Sequence, residues 1–93
     1  MRVGTVKVAL RLHRAESLKY KRAVLQGLMD RVRKNFNVSI AEIDRLDEKE
    51  SAVLGIALVS NDGQFNDRLL SKLVERISKH PGLTLEDYHI ELL

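Results

Sequence analysis

The sequence predicts an α+β fold: a ferredoxin-like βαββαβ sandwich, with a four-stranded antiparallel sheet in the order 4-1-3-2 and two helices on one of its faces. Three observations carry that expectation. Two stretches repeat their apolar residues at helical spacing and begin at capping residues. Four other runs have the alternation or continuity of strands. The six alternate along residues 1–93 as strand, helix, strand, strand, helix, strand, with no linker, internal repeat or low-complexity segment to divide the domain.

Val6, Val8, Leu10 and Leu12 alternate with Thr5, Lys7, Ala9, Arg11 and His13, the pattern of a half-buried strand with one polar face. His13-Arg14-Ala15-Glu16 connects it to a helix over residues 17–36. There Leu18, Leu25, Leu28, Met29, Val32 and Phe36 recur at intervals of three and four, Ser17 suits the N-cap, and Asn35 and Asn37 suit the exit. Lys21 and Arg22 flank the apolar stripe in the first turn, so their charged ends are expected to snorkel past its edge. Residues 38–46 form the second strand, its alternation blurred because Val38 and Ile40 share one parity and Ala41 and Ile43 the other, which fits a bulge or a strand apolar on both faces.

Asp47-Glu48-Lys49-Glu50 is the hairpin loop, and the apolar run from Ala52 to Ser60 belongs in mid-sheet. Ser60-Asn61-Asp62 offers three capping side chains to a second helix, whose buried face is Phe65, Leu69, Leu70, Leu73 and Ile77 and which His80-Pro81-Gly82 stops. Residues 83–93 close the sheet, with Tyr88, Ile90 and Leu92 on one face and His89 and Glu91 on the other. In this topology the end of the first strand, the 47–50 loop and residues 80–82 share one end of the sheet. That places the acidic loop beside Arg14, Lys19 and Lys21.

The 93 residues are enough to bury roughly 60–68% of the unfolded chain's surface. There is no cysteine, so no disulfide can form. The apolar runs are too short to span a membrane, and the start of the chain alternates rather than forming a signal peptide, which gives the expectation of a cytoplasmic protein without membrane partners. Net charge is only +3, yet residues 1–36 hold ten Lys or Arg against two acids, a balance of +8, while residues 37–93 hold six against eleven, a balance of −5. Such asymmetry points to a basic face for an anionic partner, or to complementary faces of neighbouring subunits.

Four runs resemble the YlxP-like family of small bacterial proteins: Ser17-Leu18-Lys19-x-Lys21-Arg22, Asn37-Val38-Ser39-Ile40-Ala41-Glu42, Ala52-Val53-Leu54-Gly55 and Ser60-Asn61-Asp62. The resemblance extends over nearly the whole chain. It implies a ferredoxin-like fold and, because the family's genes commonly lie beside those for translation initiation factor two and ribosome-binding factor A, a ribosome- or RNA-linked role. The family often has glutamate where Tyr20 stands, which with Ser17 would make a capping box.

The expected function is a non-enzymatic RNA- or ribosome-associated accessory protein whose partner is ribosomal RNA or a ribosomal subunit. Arg11, Arg14, Lys19, Lys21 and Arg22 would contact phosphates, and Arg31, Arg33 and Lys34 would extend the track. Four aromatics and no tryptophan leave little for base stacking, and Tyr20 is the only aromatic within the patch. The alternative is a homo-oligomeric interaction or small-ligand module. If Leu54, Ile56 and Leu58 face the helices, then Val53, Gly55, Ala57 and Val59 lie beside Ala9 on the open face, a smooth patch suited to a homodimer. Catalytic and metal readings fare worse. Ser60, Asp62, His80 and His89 share no motif, the three histidines lack ligand spacing, and Glu42 and Asp44, two apart on a strand, read as a solvated edge. No phosphate-binding glycine motif is present, and no cofactor is expected.

Overall fold

The computed structural model describes residues 1–93. The elements are β1 (Arg2–Leu12), α1 (Leu18–Asn35), β2 (Ser39–Asp44), β3 (Ser51–Ser60), α2 (Gly63–Ser78) and β4 (Leu83–Leu92). All strand pairs are antiparallel, and the sheet order β2-β3-β1-β4 is the expected 4-1-3-2 seen from the other edge. Alternation on β1 sends Val6, Val8, Leu10 and Leu12 to the helical side, where they are buried with Ala52, Leu54, Ile56 and Leu58 of β3. Leu25, Leu28 and Val32 of α1, and Leu70, Leu73 and Ile77 of α2, close over them to complete the core.

Both helices start where their capping residues stand. Ser17 Oγ accepts a hydrogen bond from the Tyr20 N–H at 3.0 Å, so the first turn is capped although no acid follows at the third helical position. For α2 the cap is Asp62, whose Oδ1 accepts from the Gln64 N–H at 2.9 Å and more weakly from the Phe65 N–H at 3.4 Å. Helix α2 ends at Ser78, and the chain turns through Gly82, whose φ of +86° is in the left-handed region that a side chain would disfavour. The expected meeting of loops at one end of the sheet is present: the Leu12 N–H donates to the Glu50 carbonyl at 2.7 Å, and the His13 N–H to the Gly82 carbonyl at 2.9 Å.

The second strand is shorter than residues 38–46, and its blurred alternation has a physical cause. Register against β3 shifts between Glu42 and Asp44, a bulge that separates two carboxylates expected to share one face. Glu42 turns to the helical side, opposite Leu54, while Ile43 swings onto the open face. There a Cβ on Gly55 would come within 3.1 Å of the Ile43 side chain, so glycine is what lets Ile43 lie flat on the sheet. A second shift, between Ala9 and Leu10, lets Leu83 and Leu85 share a face with Tyr88 and Ile90.

Candidate nucleic-acid interface

The basic residues picked out along the first third of the chain do not form one surface. Lys21 is the largest departure from expectation. It is fully buried, and its ammonium donates to the carbonyls of Arg45 at 2.8 Å, Glu48 at 2.6 Å and Ser51 at 2.8 Å. Glu42 Oε2 lies 3.0 Å away yet receives no hydrogen bond of good geometry. An ammonium has three hydrogens, and the three carbonyls take them. Glu42 therefore balances the charge without accepting a proton, and the contact is an ion pair only. Lys21 fastens the β2–β3 hairpin to α1 and cannot touch a phosphate. Proximity to the acidic loop was expected, but the hydrogen-bond partners are backbone carbonyls, of Glu48 within it and of Arg45 and Ser51 to either side, not its carboxylates.

Arg11 lies on the open sheet face, away from the helices, and pairs with Glu86 at 3.6 Å. Arg14 is exposed in the connection before α1, at a φ of 54°. Arg22 and Arg33 stand three turns apart and so share one flank of α1. That flank is the one toward β2, because Arg33 Nη2 donates to the Ile40 carbonyl at 3.1 Å and Nη1 sits 3.5 Å from Asp30. Lys19 and Lys34 are exposed, Lys34 beside Asp30 and Arg31 in a shallow dip. Of the eight residues, Arg31 is the one that turns toward α2.

There it meets cations that lie outside the expected track. Arg68, Lys72, Arg76 and Lys79 follow one another at four, four and three residues, a stripe along one face of α2 and its end. Averaging charge over the acidic residues 37–93 hid this stripe, although its spacing was legible. Between the helices runs a groove in two parts. The narrower is a pit of about 140 Å³ with Arg31, Asn35, Arg76, Lys79 and His80 at its mouth and Leu28, Val32, Phe36 and Ile77 behind them. The wider, of about 460 Å³, shares Asn35, Phe36 and Arg76 and adds Phe65, Arg68, Leu69 and Lys72. No carboxylate lines either part.

Charge pairing within the groove is sparse. Lys79 meets Glu75 at 3.1 Å one turn back, whereas Arg31, Arg68, Lys72 and Arg76 have no carboxylate within 4 Å. The Arg76 guanidinium instead rests over the Phe36 ring, 5.6 Å from its centroid, held by the ring's negative face. Phe65, expected on the buried face of α2, is half-exposed at the far end and forms an aromatic platform. His80 reports the field: burial first, and then the Arg31 charge, lower its pKa below the ordinary 6.5. A folded-state pKa below the unfolded one makes the stability from neutral His80 fully present above pH 6.5 and lost as pH falls through the lowered value.

Ser60 has a structural occupation. Its Oγ accepts from the Asp62 N–H at 3.0 Å and donates to Asn66 Oδ1 at 2.7 Å, while buried Asn66 reaches the Arg2 carbonyl at 3.3 Å. His80 stands at the opposite end of α2 from Ser60, so the two are not brought together.

On the open face, β1 and β3 pair Ala9 with Val53, Lys7 with Gly55, Thr5 with Ala57 and Val3 with Val59. Val53 is only 4% exposed and Ile43 covers Gly55, so the expected smooth patch is narrower than Ala9, Val53, Gly55, Ala57 and Val59 together. What remains is a trough of about 490 Å³ floored by Ala41, Gly55 and Ala57.

Residues 3–90 match the family model described as a protein of unknown function, DUF503. The chain belongs to this family. It is 35% identical over 81 residues to the uncharacterized protein YlxP of Bacillus subtilis (strain 168), covering 87% of this chain and 88% of that one. Among solved structures it is similar to two de novo designed proteins. Foldit4 has a TM-score of 0.55 at 14% identity, covering 100% of this chain and 97% of the design. Ferredog-Diesel has a TM-score of 0.53 at 13% identity, covering 96% and 83%. These likenesses concern the fold alone. No helix is long and apolar enough to cross a membrane.

Proposed function

We propose that this protein is a non-enzymatic RNA- or ribosome-associated accessory factor that grips phosphates in the groove between α1 and α2. The observation that supports this reading best is the groove's lining, in which cations from both helices face one another with no carboxylate among them. Cations gathered from two helices, four of them without a carboxylate partner, suit a polyanion, whose binding releases condensed counterions. Half-exposed Phe65 offers one stacking surface, too little for sequence readout on its own. The gene neighbourhood implied by the family resemblance points to the same partner class.

Gradient sedimentation of a cell lysate at low and moderate salt tests the reading. The protein is expected to co-migrate with a ribosomal subunit at low salt, to leave it as salt rises, and to lose it when Arg31, Arg68 and Arg76 are all changed to Gln. A protein confined to the top of the gradient at both salts contradicts the proposal. Replacing Lys19, Lys21 and Arg22 together is the wrong control, because losing the buried Lys21 disturbs the fold rather than the surface.

A second reading, a homo-oligomeric interaction or small-ligand module, draws on the open sheet face. Val59 is 62% exposed and is paired across β1 with Val3, whose carbonyl accepts from the Leu93 N–H at 2.8 Å. These three form an apolar row across the sheet beside the trough, of the kind that a second copy covers.

A further inference from the structure

We propose that the pit between α1 and the end of α2 receives a phosphate monoester, the dianionic end group of an RNA strand or of a free mononucleotide. This deepens the RNA reading, on which the strand source rests. The pit itself stands on three observations.

The first is chemical. Arg31 comes from α1, Arg76 from α2 and Lys79 from its C-cap, and the Asn35 amide, which spends one N–H on the Arg31 carbonyl at 2.8 Å, keeps one donor, so the mouth offers only positive or neutral side chains to a ligand. Two guanidiniums approaching from different helices suit the several oxygens of a phosphoryl group, which arginine can bind through paired N–H donors. Three negative features oppose the ligand: Glu75, which holds Lys79 at 3.1 Å, and the negative ends of both helix dipoles, since α1 stops at Asn35 and α2 at Ser78 beside the pit. The reach of the dipoles is reduced because last-turn carbonyls are taken up: Arg31 and Val32 accept from the Asn35 side chain and the Phe36 N–H, and Arg76 and Ile77 from the Lys79 and His80 N–H groups.

Size is the second. At about 140 Å³ the pit matches the ~150 Å³ of an engineered cavity that takes a single benzene ring. It holds one compact group and not a nucleoside.

The third is its floor. Leu28, Val32, Phe36 and Ile77 are buried in the core, so a group that enters the pit ends against them, which suits the end of a strand better than a phosphodiester in mid-strand. The wider depression sharing Asn35, Phe36 and Arg76 is where the rest of the strand would lie, toward Arg68, Lys72 and Phe65.

His80 supplies the readout. The charged groups facing it are Arg31 of α1, Arg76 of α2 and Lys79 at its C-cap, all positive, and burial first and then Arg31 disfavour the protonated ring. A dianion between them reverses the local field and favours the protonated ring.

The experiment follows the ring resonances of the three histidines by NMR while inorganic phosphate is added at constant ionic strength. Anisotropy then compares RNA oligonucleotides of one sequence with phosphorylated or hydroxyl ends. His80 is expected to titrate at higher pH with phosphate than with chloride, while His13 and His89 stay put. The phosphorylated oligonucleotide is expected to bind about tenfold more tightly, the factor that one charge-assisted hydrogen bond readily supplies. Arg31→Gln and, from the other helix, Arg76→Gln should each abolish both effects.

An unmoved His80, or measurable binding of both oligonucleotides with equal affinity, overturns the pit. If that equal affinity is tight and salt-sensitive, RNA binding in the groove stands without it. If neither RNA binds yet His80 responds to phosphate, the RNA reading falls and the pit holds, with a free mononucleotide as its source.

Discussion

Three carbonyls of one turn point at three ammonium hydrogens, and that match explains how a lysine can sit in the core of so small a protein. The turn carbonyls of Arg45, Glu48 and Ser51 converge on Lys21 Nζ, and Arg45 adopts a φ of 59° in the same turn. Removing the ammonium leaves all three carbonyls and the Glu42 carboxylate without their partner, and breaking a buried pair in this way costs about 3–5 kcal/mol. Against a total stability of roughly 5–15 kcal/mol for a typical domain, that is a large fraction. Lys21→Met is therefore expected to lower the urea midpoint severely. Glu42→Gln should lower it less, because the ammonium keeps its three hydrogen bonds and the lost carboxylate was 17% exposed. Equal losses for the two variants would contradict the division of roles between carbonyls and carboxylate. The clue was present in the sequence, since Leu18, Lys21, Leu25, Leu28 and Val32 fall at three- and four-residue steps with Lys21 in a core position. What could not be read was the set of acceptors, which comes from a loop 24 to 30 residues further along the chain.

At the scale of the elements, periodicity and caps were legible while the juxtaposition of faces was not. Ser17 and Asp62 cap the helices as expected, and β1 alternates as expected, because each depends on residues close in sequence. The groove depends on which flank of α1 meets which flank of α2. Packing the apolar stripe of α1 on the sheet turns Arg31 toward α2 and Arg33 toward β2, although only Val32 separates them in sequence. This division predicts how each helix contributes to binding. For a single-stranded partner, log K falls with log salt at a slope of roughly 0.7 for each phosphate neutralised. The four groove cations without a carboxylate partner, Arg31, Arg68, Lys72 and Arg76, thus account for a slope of about −3. Changing Arg68 and Lys72 to Gln should make the slope shallower by about 1.4, whereas the same change at Arg22 and Arg33, on the far flank, should leave it nearly unaltered. Salt titrations of oligonucleotide binding measure both. A larger effect from the Arg22 and Arg33 pair would move the interface to the β2 side of α1.

Over the whole molecule, the two sides of the sheet differ in character. Helix α1 carries six Lys or Arg against one acid, while β4 carries Glu86, Asp87 and Glu91 with no Lys or Arg. The lopsidedness seen in sequence as +8 and −5 thus maps onto faces and edges more than onto halves of the chain, with buried Lys21 withdrawn from the positive side and the α2 stripe added to it. A polyanion drawn to the helical side leaves the open sheet face free, so RNA binding and self-association need not compete. That face has what a two-fold contact requires: Lys7 and Arg11 in the same layer as Asp87 and Glu91, and the apolar row of Val3, Val59 and Leu93 at one end. Under two-fold symmetry each positive side chain can meet a negative one of the partner, and the apolar row can meet its own copy. Light scattering at micromolar concentration is expected to give the mass of two chains. Val59→Lys, which places a charge at the β3 end of the row, should return it to one chain with the fold intact, since Val59 is 62% exposed. A mass of one chain for the unaltered protein would rule out the sheet-face dimer.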